Sequence, residues 1–184
     1  MPLCYEPLTS DPLRQGEIIG GLYEYRPVMQ ADGVGNGGAV QFEKVTHPFS
    51  IILSQDCDLL WDYEARNEKA ADDKVLFHIL ICPLYSKEEI RNSRDLKSDQ
   101  FRRIQHNNEE RYHRFADGPI RGTENVLPEL YGDFKSVFSL PTNFVYYLIN
   151  TGQVLRNGYL QSPYLEQFTH RLYAFMGRVP IRED

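Results

Sequence analysis

The sequence predicts a mixed α+β domain whose first half is a small, strongly bent β-barrel. Three observations carry that prediction. Two dense apolar runs, residues 49–54 (Phe-Ser-Ile-Ile-Leu-Ser) and 74–82 (Lys-Val-Leu-Phe-His-Ile-Leu-Ile-Cys), have the length of buried strands and are bounded by Pro48 and Pro83. The chain holds 12 Tyr and 10 Phe but one Trp, and such rings suit the half-buried pleat of a sheet or a contact surface. Near the end, Phe168, Leu172 and Phe175 recur at i, i+4 and i+7, which gives one helix an apolar face.

The totals agree with one ordinary core. At 184 residues, 41% hydrophobic and 25% charged, the chain reads as a single domain over 1–184. No repeat or linker divides it. Its net charge of −6 argues against wholesale attraction to nucleic acid or an anionic membrane. Cys4, Cys57 and Cys82 are odd in number and form no CxxC pair, which fits free thiols in a reducing compartment. No apolar run has the length of a membrane span, and Met1-Pro2-Leu3-Cys4 lacks the plan of a signal peptide. The expected location is therefore cytoplasmic, with no membrane partner.

The elements are expected in this order. Residues 1–15, with three prolines, form an extended arm, and 16–85 form the barrel half. A first strand over 16–25 is broken by a bend or bulge at Gly20-Gly21. Residues 31–38 hold four glycines and mark a mobile loop, and 39–44 give a short second strand. The strand at 49–54 ends in a polar turn. Residues 61–73 form an acidic loop with a helical turn, before the partner strand 74–82 stopped by Pro83.

Ser86 and Glu89 have capping-box spacing, so a helix starts there, at the head of a helical insertion over 86–115. Ser98 begins or continues a helix through Ile104, and Asn107-Asn108 ends it. Residues 112–115, 134–140 and 143–150 read as strands, a turn at Thr151-Gly152 leading into Val154-Leu155. In the last part of the closing section, 134–184, Ser162 caps a helix with Pro163 at its first position and Gly177 beyond its last turn.

Three groups offer chemistry. The first is the polar turn Ser54, Gln55, Asp56, Cys57 and Asp58, placed where a rigid strand ends. Two aspartates beside Cys57 oppose thiolate formation, so the turn reads better as carboxylates capping backbone N–H groups than as a nucleophile. The second is His47, Cys57, His78 and Cys82. His78 and Cys82 face one side of a strand but stand about 13 Å apart, too far to share a zinc ion without a bend. No metal and no cofactor is expected. The third is the basic, aromatic stretch carrying Arg102, Arg103, Arg111, Tyr112 and Arg114. It suits phosphate contact with base stacking on single-stranded RNA, and equally a solvated surface with Glu109 and Glu110 as partners. Walker, Rossmann, GxSxG, HExxH and EF-hand signatures are absent from the sequence.

The run Gly16-Glu17-Ile18-Ile19, a glycine loop, His47-Pro48-Phe49-Ser50-Ile51-Ile52-Leu53-Ser54 and Ile81-Cys82-Pro83-Leu84 resembles the MazF/PemK family of toxin-like endoribonucleases over roughly residues 16–85. That resemblance implies an SH3-like barrel elaborated by a helical insertion and a C-terminal helix. In that family an arginine precedes the proline and a Thr or Ser assists on the later strand. Here His47 and Cys82 stand at those places. Histidine titrates near neutral pH and suits acid/base work, so the resemblance implies either a metal-independent ribonuclease using His47 or a barrel that has lost catalysis. The stretch 160–168, with Arg171 and Arg178, resembles the tail of bacterial proteins carrying a Gln-Asp-Cys-Asp-like turn. It implies an accessory role in toxin–antitoxin or phage defence.

Three functional expectations follow. The first is a non-catalytic or weakly catalytic RNA- or protein-binding module of MazF/PemK-like ancestry. The second is the His47 ribonuclease, and the third is a protein–protein adaptor without nucleic-acid binding, including a homo-oligomer. Basic side chains converging on a groove beside His47 would favour RNA. A contiguous exposed aromatic patch, with no cleft at His47, would favour the adaptor.

Overall fold

The computed structural model describes residues 12–28, 40–68, 72–120 and 124–178, with the strand backbone at 5–6. Most of the expected N-terminal arm, including Cys4, and the whole glycine loop at 31–38 lie outside the described residues.

In chain order the strands are β1 (Tyr5–Glu6), β2 (Glu17–Val28), β3 (Gln41–Ile52), β4 (His78–Tyr85), β5 (Tyr112–Phe115), β6 (Gly118–Pro119), β7 (Val126–Leu127), β8 (Leu130–Asp133), β9 (Phe138–Pro141) and β10 (Leu155–Leu160). The helices are α1 (Asp56–Glu68), α2 (Lys87–Ser93), α3 (Ser98–Gln105), α4 (Thr142–Asn150) and α5 (Tyr164–Met176). One antiparallel sheet runs in the order β1-β10-β2-β3-β4-β8-β5, with β9 also on β4, while β6 and β7 pair separately.

The fold is α+β, as expected, but the sheet path does not close into a barrel. The reason lies in the strands. Neighbouring residues on β2 and β3 serve opposite cores: Ile18 and Ile51 pack in one cluster with Phe168, Leu172 and Phe175 of α5, while Ile19 and Ile52 pack in another with Leu59 of α1 and Val145 and Leu148 of α4. A sheet buried on both faces needs helices on both sides, whereas a small barrel buries only its interior. A third cluster, with Ile90, Phe101, Ile104, Tyr112 and Tyr131, seats α2 and α3 against the β8–β5 end.

Both prolines taken as strand limits lie inside strands. Pro48 faces Gly21 at a gap in the β2–β3 ladder. Gly21 has φ +83°, a left-handed conformation that glycine adopts freely. Ile19 and Leu22, three apart, consequently share one core, where strict alternation would separate them. The expected bend is thus at Gly21, and the bulge is on the facing strand, between Arg156 and Gly158 of β10. The separate strands expected at 39–44 and 49–54 are one strand. Pro83 pairs with Ser50 on one side. On its other side it falls between the β9 pairing, which ends at Ile81, and the β8 pairing, which begins at Leu84. A missing N–H is cheap there.

Two further expectations change. Residues 61–73 are mostly helix α1, which starts at Asp56. Residues 143–150 are helix α4, not a strand, because Thr142, Val145 and Leu148 bury at helical spacing and tertiary burial overrides β-propensity. The expected strand at 134–140 opens with a 3-10 turn over Phe134–Ser136, and β9 follows. The Ser86–Glu89 capping box is present, and Asn107 takes φ +54° beyond α3. Helix α5 begins at Tyr164 with Pro163, not Ser162, at its N-cap and no side-chain cap, and ends at Met176 with Gly177 as its C-cap.

Candidate functional site

The polar residues after β3 are held by three neighbours. Leu53 donates to the Leu80 carbonyl at 2.9 Å, and the Leu80 amide donates to Ser54 Oγ at 2.9 Å, so the exit from β3 is stitched to β4. Gln15 donates from its side chain to the Leu53 carbonyl at 3.0 Å. Asp56 accepts from the Gln15 amide at 2.6 Å and from Arg14 at 3.2 Å. The carboxylate thus caps backbone, but that of the segment leading into β2. Cys57 is exposed, its Sγ 3.7 Å from both Gln55 Oε1 and Asp58 Oδ1.

Ser54, Gln55 and Asp58 border a groove of about 380 Å³ between β4 and α5. Its walls are apolar: Leu53, Leu76, Leu80, Val137 and Leu172, closed by Tyr173 and Met176. His78 also lines it. On β4 the side chains of His78, Leu80, Cys82 and Leu84 share one face by alternation. α5 covers Cys82 and Leu84 and leaves Leu80 47% exposed. Gln55 reaches Tyr173 Oη at 3.3 Å and so bridges the end of β3 to α5. A second hollow, lined by Trp61, Asp73 and Lys74, shares Asp58 and Leu76 with the first. The two form one strip rimmed by Trp61, Leu80, Tyr173 and Met176, exposed by 49%, 47%, 50% and 60%.

The remaining candidates lie elsewhere and apart from one another. His47 is 5% exposed. Its Nε2 stands 3.0 Å from Glu24, which also accepts from Arg26, and its ring lies 5.0 Å from that of Phe138. Cys82 is fully buried in the opposite core, its Sγ turned to the Pro83 and Asp133 carbonyls. Burial, and then the Asp133 charge, push its thiol pKa far up. The structure does not bring His47 and Cys82 together.

The basic stretch divides likewise. Arg111 makes paired bonds of 2.7 and 2.6 Å to Asp133, and Arg114 is bonded to Glu129. Tyr112 is 1% exposed in the third core cluster. Arg102 and Arg103 remain on the surface of α3, and Arg103 meets Glu109 at 3.1 Å. Asp133, which the sequence reading missed, is fully buried and also accepts from Arg94, the Lys135 amide and Ser136. Burial alone would raise its carboxyl, but Arg111, the Lys135 N–H and Arg94 hold it below the usual carboxylate range. Local sequence carries no signal for that cluster, because Arg94 and Arg111 come from 39 and 22 residues away.

Among the described residues, no group of three or more His, Cys, Asp or Glu is placed to hold a metal ion. No helix among them is long and apolar enough to cross a membrane. No protein-family model matches the chain, and no curated protein matches it.

Proposed function

We propose that the protein is a binding module that docks a partner protein through the β4–α5 groove, taking an apolar segment that carries a basic side chain. The observation that carries this reading is the pair of adjoining hollows that share Leu76 and Asp58, with Trp61, Leu80, Tyr173 and Met176 exposed around them. Large exposed apolar side chains grouped around a concavity mark interaction sites, whereas scattered ones need no explanation. Asp58 lies where the two hollows meet and Asp73 on the outer rim, against one Lys74. That balance favours a cationic neighbour to the apolar anchors.

The ribonuclease reading and the MazF/PemK-like ancestry rest on the resemblance over 16–85, the defence role rests on that of 160–168, and the RNA-binding reading rests also on the basic stretch carrying Arg102, Arg103, Arg111 and Arg114. Their geometric support is smaller. His47 is buried against Phe138 and Glu24, and Arg111 and Arg114 are committed to carboxylates. Cleavage of labelled single-stranded RNA that disappears in His47→Ala would restore the ribonuclease reading.

The docking reading is tested by selecting displayed random peptides on the purified protein. Enrichment of sequences with apolar anchors beside Lys or Arg, abolished on a Leu80→Glu target, supports it. Enrichment unchanged by Leu80→Glu contradicts it. Concentration-dependent self-association abolished by the same substitution would replace the foreign partner with a second copy of the chain.

A further inference from the structure

A second concavity, on the opposite face of the sheet, does not depend on the groove. It is a cleft of about 680 Å³ between α1, α4 and β10, within the range of about 300–1,000 Å³ usual for small-molecule sites. Its walls are two helix stripes. Tyr63, Arg66 and Asn67 come from α1 at i, i+3 and i+4. Asn143, Tyr146, Tyr147 and Asn150 come from α4 at i, i+3, i+4 and i+7. Arg156 of β10 completes it.

The composition of α4 is unusual for its setting. None of its nine residues is charged. The outward face of a surface helix normally carries Glu, Lys or other strong helix formers, yet here the exposed cleft positions are Asn143, Tyr147 and Asn150, weaker formers, while Tyr146 packs on the core with its hydroxyl buried. The exposed α4 wall of the cleft thus consists of amide and aromatic groups with no charge of its own. On a chain of net charge −6, none of the side chains lining the cleft is acidic.

Both arginines are fixed from behind. Arg66 bonds Asp62 at 2.9 Å and the Leu76 carbonyl at 2.9 Å. Arg156 bonds the buried Glu17 and the Pro12 carbonyl. Each guanidinium is held in place, and its charge is largely offset. The cleft thus presents amide groups and aromatic rings without a strong field. That set suits a planar ring with hydrogen-bonding edges more than a polyphosphate or a simple ion. Side-chain amides pair with the adjacent donor and acceptor of a base edge, and a tyrosine ring offers a stacking face.

We infer that this cleft binds a nucleoside or nucleoside monophosphate, its base stacked on Tyr147 and read by the amides of Asn143 and Asn150. Tyr147 is 55% exposed at the cleft, so a base can reach its ring and its truncation leaves the core intact.

The test is calorimetric titration of the full chain with adenosine, guanosine, cytidine, uridine and their 5′-monophosphates. The expected result is saturable one-site binding of at least one of them. Tyr147→Ala should weaken it about 10-fold or more, Tyr147→Phe should retain it, and Tyr173→Ala, in the distant groove, should leave it unchanged. Thermal melts of each variant confirm folding. No saturation by any of the eight at about 10 mM, far weaker than specific recognition requires, overturns the inference. So does binding that both Tyr147→Ala and Asn150→Ala leave unchanged.

Discussion

Asp62 holds Leu76 by its backbone: the carboxylate accepts the Leu76 amide at 2.8 Å, while Arg66, bonded to the same carboxylate, donates to the Leu76 carbonyl. Asp62 is fully buried, and Leu76 walls both hollows of the groove. One carboxylate therefore fixes the segment entering β4 against α1.

Asp62→Ala removes that clamp and leaves Arg66 without its partner. Arg66 stays part-exposed and keeps the Leu76 carbonyl, so the main loss is the partner of the Leu76 amide, about 2 kcal/mol. We expect a loss of that order in urea denaturation, with weaker peptide docking at the groove.

Asp133 is the corresponding keystone at the other end of the sheet, tying Arg111 and Arg94 to β8. Asp133→Ala removes charge-assisted hydrogen bonds to part-exposed arginines and should cost about 2 kcal/mol. Its folded pKa is depressed, so its contribution is complete above the ordinary carboxylate value of about 3.8 and is lost as pH falls below it. Urea midpoints at pH 5 and pH 3 should differ less in Asp133→Ala than in the wild type.

His113 is 8% exposed, its ring 4.6 Å from that of Phe115 and 5.2 Å from that of Phe168. Burial first, and the Arg171 charge second, push its pKa down from 6.5 to about 3. The contribution of the neutral ring is therefore complete above pH 6.5 and lost progressively as pH falls towards 3. His113→Phe should shrink the difference in thermal midpoint between pH 7 and pH 5. An undiminished difference would place the acid sensitivity elsewhere.

Gly21→Ala tests the switch of faces in β2. A Cβ at this position has room, its nearest neighbour being the Gln153 carbonyl at 3.6 Å. The penalty is thus conformational, about 1 kcal/mol for a positive φ in an L-residue. Chemical denaturation should show that loss with an unchanged m-value.

Where local chemistry decides, the sequence was sufficient. The Ser86–Glu89 box, the left-handed Asn107 and the Phe168, Leu172, Phe175 face each follow from spacing within a few residues. The failures share a cause in tertiary context. Pro48 and Pro83 read as strand limits because the ladder gaps that accommodate them arise from Gly21 on one neighbour and from the break between β9 and β8 on the other. Residues 143–150 read as a strand because their β-propensity is high, while the core that makes them helical comes from β2, β3 and α1. The groove was half legible. The Ser54–Asp58 cluster, which is the exit of β3 and the first turn of α1 and not a separate turn, marks one border, but the groove's apolar walls come from β4 and α5, and only the fold brings Leu80 to Met176.

The most direct test of the docking reading uses Trp61, the chain's one tryptophan, which stands on the rim of the groove. Its emission should shift to the blue and saturate on titration with a selected apolar peptide carrying lysine, since docking removes water from the ring. The shift should vanish in Leu80→Glu, whose exposed position leaves the fold intact. Peptide binding that leaves Trp61 emission unmoved, or that persists in Leu80→Glu, would contradict the account.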